Sequence, residues 1–376
     1  MLKQTKALCD QFIKMGIPGF DLMVYKDGKP LLRYMGGYAD PDKHIPITGK
    51  EKYHIYSCSK LFTCVAALQL WEKGLFSLED ELGNYIPAFK NMTVKTENGI
   101  QPAKNPIRIH NLFEMTSGLS YALYTPELTE FYKTSCCPTL ELVQQYATRP
   151  LEFEPGTKWL YSLSHDVLAA LVEIWSGQKF EDYTKEHIFE PLDMKDTTFL
   201  HPMEDWEGFA RQYRYNEATG EFEPWWENIY RPGPEYASGG AGCVSTVEDY
   251  MKFLEALRIG DIILKKETIE LMATNRLTDE LKKTYTLGGA GTGYGLGVRT
   301  ASEDGSRTDF GWGGAAGAYC AVDRKNGLSL YYAQHVLTAP NRPLRGWLYR
   351  TVLGDLNGET VNVPVPKEPE EPTITY

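Results

Sequence analysis

The alternation of apolar and polar residues divides the chain into strand-like ends and a helical middle. Residues 1–15 carry apolar side chains at helical spacing, and Asp27-Gly28 then separates two apolar runs, which is a strong hairpin signal. Further on, the sequence KLFTCVAALQLWEKG is apolar on nearly every side and ends at Gly74, as expected for a buried helix. The chain is therefore predicted to begin helix, strand, strand and to continue into a central helix.

Residues 75–240 have a different pattern, with many prolines and aromatics, short helical segments and few convincing strands. The clearest helices are ELVQQYATRPL and SHDVLAALVEIWSG, and the second of them ends at Gly177. Strand patterns return in YGLGVRT, in TDFGWGG and in two alternating runs around Asn326-Gly327, before RPLRGWLYRTVLGDL closes the fold as a helix. Strands at both ends of the chain are expected to form one sheet.

These elements predict a mixed α/β (α+β) fold, in which an antiparallel sheet is flanked by helices within one domain. The α/β region is expected to comprise residues 1–75 together with 241–356, and residues 76–240 to form a mainly helical inserted region. Residues 357–376 are rich in Pro and Glu and are predicted to form an extended tail.

Composition narrows the classes of partner. The net charge of -11 disfavours nucleic acid, because an acidic surface repels phosphates. We find no secretion signal and no apolar stretch of membrane-spanning length, so a cytoplasmic location without a membrane partner is expected. The seven cysteines form no CxxC pair, which favours reduced thiols over a disulfide framework. The oligomeric state stays open.

Motifs for several kinds of chemistry are missing from the sequence. It contains no GxSxG, HExxH or GxxxxGK[ST], and no GxGxxG that opens a helix, so no metal or organic cofactor is expected. A Ser-x-x-Lys pattern occurs twice, once from Ser57 to Lys60 and once from Ser176 to Lys179. A lysine three residues after a serine shares its helix face and can take the hydroxyl proton if burial lowers its pKa.

Helix context favours the first copy. Ser57 opens the long apolar helix, where backbone N–H groups stabilise negative charge and where Lys60 is partly buried. The second copy straddles Gly177, so Lys179 is expected in a polar loop. From the residues alone, a structural role for Ser57 as a helix cap with a solvated Lys60 stays about equally plausible.

Four further segments carry a family resemblance. Residues 107–121, 153–177, 239–257 and 310–319 occur in the order of conserved segments in the class C β-lactamase and penicillin-binding-protein superfamily. The chain resembles in particular the carboxylesterase branch of that superfamily, the family VIII esterases. The resemblance covers roughly residues 10–355 and implies a β-lactamase-like fold.

The resemblance also implies roles for individual residues. Ser57 matches the serine that becomes acylated, Lys60 its activating lysine, and Tyr161 the tyrosine that shares proton transfer with the lysine. Trp312-Gly313-Gly314 matches the third motif, on a strand edge that faces the serine. The backbone N–H of Ala315 would join that of Ser57 in an oxyanion hole.

Two departures from the β-lactamase pattern bear on the substrate. Leu163 stands where β-lactamases and peptidases have an Asn that binds a substrate amide, and Trp312 replaces a Lys or His that attracts a carboxylate. Both changes favour an apolar acyl or alcohol group, as in the esterase members. Leu163 and the Trp312-Gly313-Gly314 motif are thus expected at the substrate, together with Tyr121, which follows the Ser-Gly-Leu segment.

The sequence therefore predicts a serine hydrolase that forms an acyl-enzyme at Ser57 and acts on a small ester or amide, with esters preferred. β-Lactamase, D-amino-acid peptidase or amidase, and acyltransferase activities are the alternatives, and a non-catalytic binding protein is the least favoured. His165 and His187 match no motif of the family and are expected to be structural.

Overall fold

The computed structural model describes residues 2–289 and 291–364. The strands of this part of the chain are β1 (Gly19–Lys26), β2 (Lys29–Asp40), β3 (Ile45–Pro46), β4 (Tyr53–His54), β5 (Thr93–Thr96), β6 (Gly99–Pro102), β7 (Tyr213–Asn216), β8 (Glu221–Pro224), β9 (Val244–Ser245), β10 (Thr292–Tyr294), β11 (Arg299–Ser302), β12 (Phe310–Gly313), β13 (Tyr319–Asp323), β14 (Leu328–Ala333) and β15 (Val336–Leu337).

The helices are α1 (Lys3–Lys14), α2 (Ser59–Glu72), α3 (Ile109–Phe113), α4 (Pro126–Thr134), α5 (Thr139–Gln145), α6 (Ser164–Ser176), α7 (Phe180–Thr184), α8 (Val247–Ile259), α9 (Lys266–Ala273), α10 (Asp279–Lys282) and α11 (Trp347–Asn357). Short 3-10 turns accompany them, among them Tyr56–Cys58 immediately before α2.

One antiparallel sheet of eight strands joins the two ends of the chain. Its order is β10-β11-β12-β13-β14-β1-β2-β3, with every neighbouring pair antiparallel. The central pairing of β1 with β14 places Leu22 opposite Tyr332, residues 310 positions apart in sequence. The predicted mixed α/β fold with an antiparallel sheet is confirmed.

The two faces of the sheet bury alternate residues of each strand. Phe20, Leu22 and Val24 of β1 pack with α1 and α11, whereas Met23 belongs to the larger core on the opposite face. This follows from the two-residue period of a strand, which sends successive side chains to opposite faces. The larger core also contains α2, α6 and α8.

Helix α2 is central to that larger core. Eleven of its fourteen residues are buried, in agreement with the apolar pattern around the helix. Its Phe62 ring packs edge-on against Phe189 and Tyr250 at centroid distances of 5.0 and 5.2 Å. The helix that follows Ser57 is therefore fixed from several sides.

Some strand predictions differ from the structure. YGLGVRT, predicted as one extended segment, contains the end of β10 and the start of β11, because Gly297 has a φ of 88° and turns the chain. The hairpins β5–β6 and β7–β8 lie within the region predicted to have few strands. Asn98-Gly99, where the turn after β5 enters β6, is the turn signal that would have indicated the first hairpin.

The division of the chain into an α/β region, residues 1–75 with 241–356, and a mainly helical inserted region, residues 76–240, stays a prediction. Residues 365–376 of the predicted tail lie outside the described residues. The predicted C-terminal helix is present as α11.

Replacement of the central phenylalanine tests the contribution of this core to stability. Phe62→Ala is expected to lower the free energy of unfolding by about 3–5 kcal/mol, because it leaves a cavity among rings that cannot close over it. Urea denaturation followed by circular dichroism measures the change. Leu75→Ala is the control, since this side chain is 46% exposed and its loss is expected to cost less than about 0.5 kcal/mol.

Candidate active site

Ser57 lies in a tight turn between strand β4 and helix α2. Tyr56, immediately before it, has a φ of 47°, a left-handed conformation that is uncommon for a tyrosine. The Tyr56 ring is buried and its hydroxyl donates a 2.7 Å hydrogen bond to Gln212 Oε1, which holds this conformation. The turn presents Ser57 to a cavity while the following helix enters the core.

Lys60 extends from the first turn of α2 into a site with no solvent exposure. Its ammonium donates to the carbonyl oxygen of Gly240 at 2.7 Å and to the hydroxyl of Tyr121 at 3.2 Å. Burial lowers the pKa of Lys60 from 10.5 to about 8, although the Asp166 carboxylate acts in the opposite direction. A larger fraction of this amine is thus neutral near neutral pH than for an exposed lysine.

Two stacked tyrosines enclose the lysine on the cavity side. The rings of Tyr121 and Tyr161 lie 5.3 Å apart with an interplanar angle of 12°. The Lys60 ammonium lies 4.5 Å from the centroid of the Tyr161 ring and 5.2 Å from that of Tyr121. Tyr121, expected only to line the pocket, is therefore also a direct hydrogen-bond partner of Lys60.

The Tyr161 hydroxyl lies between the serine and the third motif. It accepts a 3.1 Å hydrogen bond from Trp312 Nε1. Burial raises the pKa of Tyr161, and hydrogen bonds to Ser57 and Trp312 only partly offset this effect. The phenol is therefore protonated at neutral pH and can donate or relay a proton.

The third motif closes the opposite side of the cavity at the end of β12. A Cβ on Gly314 would clash with the carbonyl oxygen of Ile55, so glycine is required where this strand meets the turn before Ser57. The next residue, Ala315, lines the same cavity as Ser57. Its N–H has no acceptor within residues 2–289 and 291–364, which leaves it available to an oxyanion.

Asp166 is a buried charged residue near the site that the sequence analysis did not identify. Its Oδ1 accepts hydrogen bonds from the hydroxyls of Tyr236 and Ser238, each at 2.7 Å, and from the Gly240 N–H at 3.3 Å. Its Oδ2 is buried without a hydrogen-bond partner in the described part of the chain. Asp166 thus fixes the segment whose Gly240 carbonyl binds Lys60, five positions after Tyr161 in sequence.

The cavity that contains Ser57 has a volume of about 1470 Å³. The structure brings most of the predicted site residues to its wall, namely Ser57, Tyr121, Tyr161, Trp312, Gly313, Gly314 and Ala315. Lys60 lies directly behind the two tyrosines. Leu163 does not reach the cavity, because this residue precedes α6 with its side chain in the core at 1% exposure. Its role at the substrate stays a prediction.

The other candidate residues have separate environments. His165 is buried against Cys64 and the backbone of Phe113, and burial lowers its pKa to about 3. His187 lies in the helical turn after α7 and does not line the Ser57 cavity. Ser176 ends α6, and Lys179 is exposed beyond Gly177, so the second Ser-x-x-Lys lacks a buried lysine.

Comparison with known proteins extends the resemblance to almost the whole chain. Residues 5–352 match the family model described as Beta-lactamase. The chain belongs to the beta-lactamase family. The sequence resemblance and the predicted fold class are therefore confirmed.

Relatives within the beta-lactamase family include esterases and acyltransferases. Esterase EstB of Burkholderia gladioli is 27% identical over 363 residues, which cover 86% of this chain and 88% of that protein. The lovastatin esterase of Penicillium rubens is 30% identical over 317 residues, 73% of this chain and 77% of that protein. The ML-236A carboxylate methylbutanoyltransferase of Penicillium citrinum is 34% identical over 242 residues, 60% of this chain and 57% of that protein.

Solved structures share the fold at low sequence identity. EstCE1, described as a hydrolase with promiscuous acyltransferase activity, superposes with a TM-score of 0.79 at 24% identity, covering 94% of this chain and 98% of that one. Unliganded simvastatin synthase (LovD) from Aspergillus terreus has a TM-score of 0.75 at 25% identity, covering 93% of this chain and 96% of that one. These matches show that the fold is shared over almost the full length of the compared chains.

Two features are absent from residues 2–289 and 291–364. No helix within them has the length and hydropathy needed to cross a bilayer. The same residues contain no cluster of three His, Cys, Asp or Glu side chains that could hold a metal ion.

The lysine environment predicts the pH dependence of this beta-lactamase-family site. If Lys60 acts as a base, kcat/KM for a neutral ester is expected to rise with pH through about 8, as the ammonium loses its proton. Asp166→Asn is expected to move this acid limb to lower pH, because the Asp166 carboxylate favours protonated Lys60. Initial rates between pH 5 and 10 provide the measurement.

Asp182→Asn serves as the matched control, since this carboxylate is exposed on α7 and is expected to leave the limb in place. Circular dichroism checks that both variants are folded. An acid limb that stays in place or moves upward in Asp166→Asn contradicts the electrostatic link between Asp166 and Lys60.

Proposed function

We propose that this protein is a carboxylesterase that works through an acyl-enzyme at Ser57. The observation that carries the proposal is the convergence of Ser57, Tyr161, Trp312 and Ala315 on one cavity, with a buried lysine of lowered pKa behind them. A nucleophile, a base, a proton relay and a free backbone donor are the groups that acyl transfer requires.

Acylation begins with removal of the serine proton. Neutral Lys60 is the base, because burial keeps Tyr161 a protonated phenol at neutral pH. Tyr161 relays the proton through its contact with Ser57, and the serine oxygen then attacks the ester carbonyl. The N–H groups of Ser57 and Ala315 stabilise the resulting oxyanion.

Collapse of the tetrahedral intermediate breaks the ester bond. Tyr161 donates a proton to the leaving alcohol and is reprotonated from Lys60. Water then attacks the acyl-enzyme along the same route, which releases the carboxylic acid and restores Ser57. No step needs a metal or an organic cofactor.

The cavity wall favours esters over β-lactams and peptides. The third motif begins with Trp312, a neutral side chain that places no cation beside the serine, and its indole N–H is already used by Tyr161. Tyr121 and Tyr161 add apolar ring surface on the other side. An apolar acyl or alcohol group adjacent to the scissile bond is therefore the best match for this wall.

Acyl transfer is the second candidate function. It is supported by the methylbutanoyltransferase relative and by the acyltransferase activity in the description of EstCE1. A cavity of about 1470 Å³ also has room for an acceptor alcohol beside the acyl group. In that reaction an alcohol replaces water in attack on the acyl-enzyme, and the chemistry at Ser57 is otherwise the same.

A serine variant tests the esterase proposal. Ser57→Ala is expected to reduce hydrolysis of 4-nitrophenyl butyrate by at least about 1,000-fold, because the acyl-enzyme cannot form. Intact-mass spectrometry after treatment with a fluorophosphonate probe is expected to detect one adduct on the wild type and none on Ser57→Ala. Full ester turnover by Ser57→Ala would overturn the mechanism.

Ser176→Ala is the matched control, since it removes the serine of the other Ser-x-x-Lys. It is expected to retain activity and labelling. Nitrocefin turnover that equals ester turnover would favour a β-lactamase instead. Product analysis with an added alcohol separates the two leading candidates, because a transferase forms the new ester in preference to the free acid.

A further inference from the structure

The cavity that contains Ser57 has a cationic wall, although the chain as a whole has a net charge of -11. Two acidic residues, Glu217 and Glu223, line the cavity, and both are exposed. Positive charge concentrated in a cleft attracts anions and raises their local concentration. The arginines that line the cavity are Arg214, Arg299, Arg307, Arg342, Arg345 and Arg350.

Part of this positive charge is compensated inside the protein. Arg299 and Arg307 both pair with the buried carboxylate of Asp309, the second at 2.9 Å. The other four arginines have no carboxylate within 4.0 Å in the described part of the chain. One buried aspartate and two exposed glutamates therefore face six guanidinium groups.

Arg345 is a largely buried arginine in the wall of the cavity. Its side chain is only 8% exposed, and its Nη1 donates a 3.1 Å hydrogen bond to the carbonyl oxygen of Gly314. Its Nε is buried without an acceptor in residues 2–289 and 291–364. Because Arg345 lines the cavity and has no carboxylate partner in the described part of the chain, an anion in the cavity would compensate its charge.

Arg345 connects this charge to the reacting centre. Its acceptor, Gly314, immediately precedes Ala315, whose N–H is the proposed oxyanion donor. Arg342, three residues earlier, is exposed at the cavity wall, and Arg350 on α11 donates to Ser306 Oγ at 3.2 Å. The three arginines thus line the same cavity as Ser57, and Arg345 contacts the backbone next to the proposed oxyanion donor.

We infer that the arginine wall, formed by Arg342, Arg345 and Arg350, binds an anionic group that the substrate carries at a distance from its scissile ester. The planar guanidinium fork matches a carboxylate or a phosphate, with two parallel hydrogen bonds. The inference rests on the proposed esterase function and specifies its substrates as esters with an apolar reacting end and an anionic far end.

Paired substrates test this specificity. The mono-4-nitrophenyl esters of adipic and suberic acid are compared with 4-nitrophenyl hexanoate and octanoate, which have the same chain lengths without the carboxylate. The ratio of kcat/KM between anionic and neutral esters is expected to fall about tenfold in Arg342→Gln and further in Arg342→Gln/Arg350→Gln. Arg324→Gln is the control, because this arginine does not line the cavity and is expected to leave the ratio unchanged.

A binding experiment separates this inference from the esterase proposal. With Ser57→Ala protein, monomethyl adipate is expected to bind more tightly than dimethyl adipate in calorimetry, and the difference is expected to disappear when Arg342→Gln and Arg350→Gln are added. If inorganic phosphate competes with monomethyl adipate for binding, the arginine wall is assigned to phosphate-bearing esters. If phosphate does not compete, the arginine wall is assigned to esters that carry a carboxylate.

Two results would overturn the inference. One is an equal affinity for monomethyl and dimethyl adipate, and the other is a kinetic ratio that the arginine variants do not change. If arginine-dependent binding is found but the wild type hydrolyses no ester, the esterase proposal fails while the anion site remains. If the wild type hydrolyses only neutral esters, the esterase proposal remains while the anion site fails.

Discussion

Burial of an ammonium group without a carboxylate in contact is the constraint on which this site depends. In the described part of the chain, Lys60 is held by the Gly240 carbonyl, the Tyr121 hydroxyl and the faces of two tyrosine rings. These partners stabilise the charge less than a direct ion pair, so desolvation dominates and lowers the pKa of Lys60 to about 8. Asp166 acts from beyond hydrogen-bond range, which prevents a larger shift without fixing the proton on the amine.

The fold provides this environment by bringing two distant segments against the start of α2. Strand β4 pairs with β9, so Ile55 donates to the Cys243 carbonyl and the 236–243 segment covers Lys60. On the other side the end of β12 meets Ile55. Both approaches require glycine, because a Cβ on Gly240 would collide with Asp166 and one on Gly314 with the Ile55 backbone. The glycine-rich motifs therefore reflect close packing around the turn before Ser57 rather than flexibility.

Sequence patterns could predict what depends on neighbouring residues, such as the terminal strands, the buried helix α2 and the i to i+3 pair of Ser57 and Lys60. They could not predict contacts between distant segments. The Gly240 carbonyl that binds Lys60 is 180 positions away, and the role of Asp166 depends on the same tertiary contact. The burial of the Leu163 side chain in the core was not predicted for a related reason, since a motif position fixes the backbone near the site but not the direction of an apolar side chain at the start of a helix. The hairpin β5–β6 was missed although Asn98-Gly99 signals it.

The position of positive charge in the cavity connects substrate choice to the chemistry of the lysine. A lysine or histidine cation at position 312, beside the serine, would lower the pKa of Lys60 by repulsion and would also bind an anion close to the scissile bond. Trp312 avoids both effects, and its N–H holds the Tyr161 hydroxyl instead. The positive charge of this cavity comes instead from arginines, of which Arg345 contacts the Gly314 carbonyl. Because position 312 carries no cation, desolvation and the opposing Asp166 carboxylate set the pKa of Lys60, and the arginines can change without altering the base.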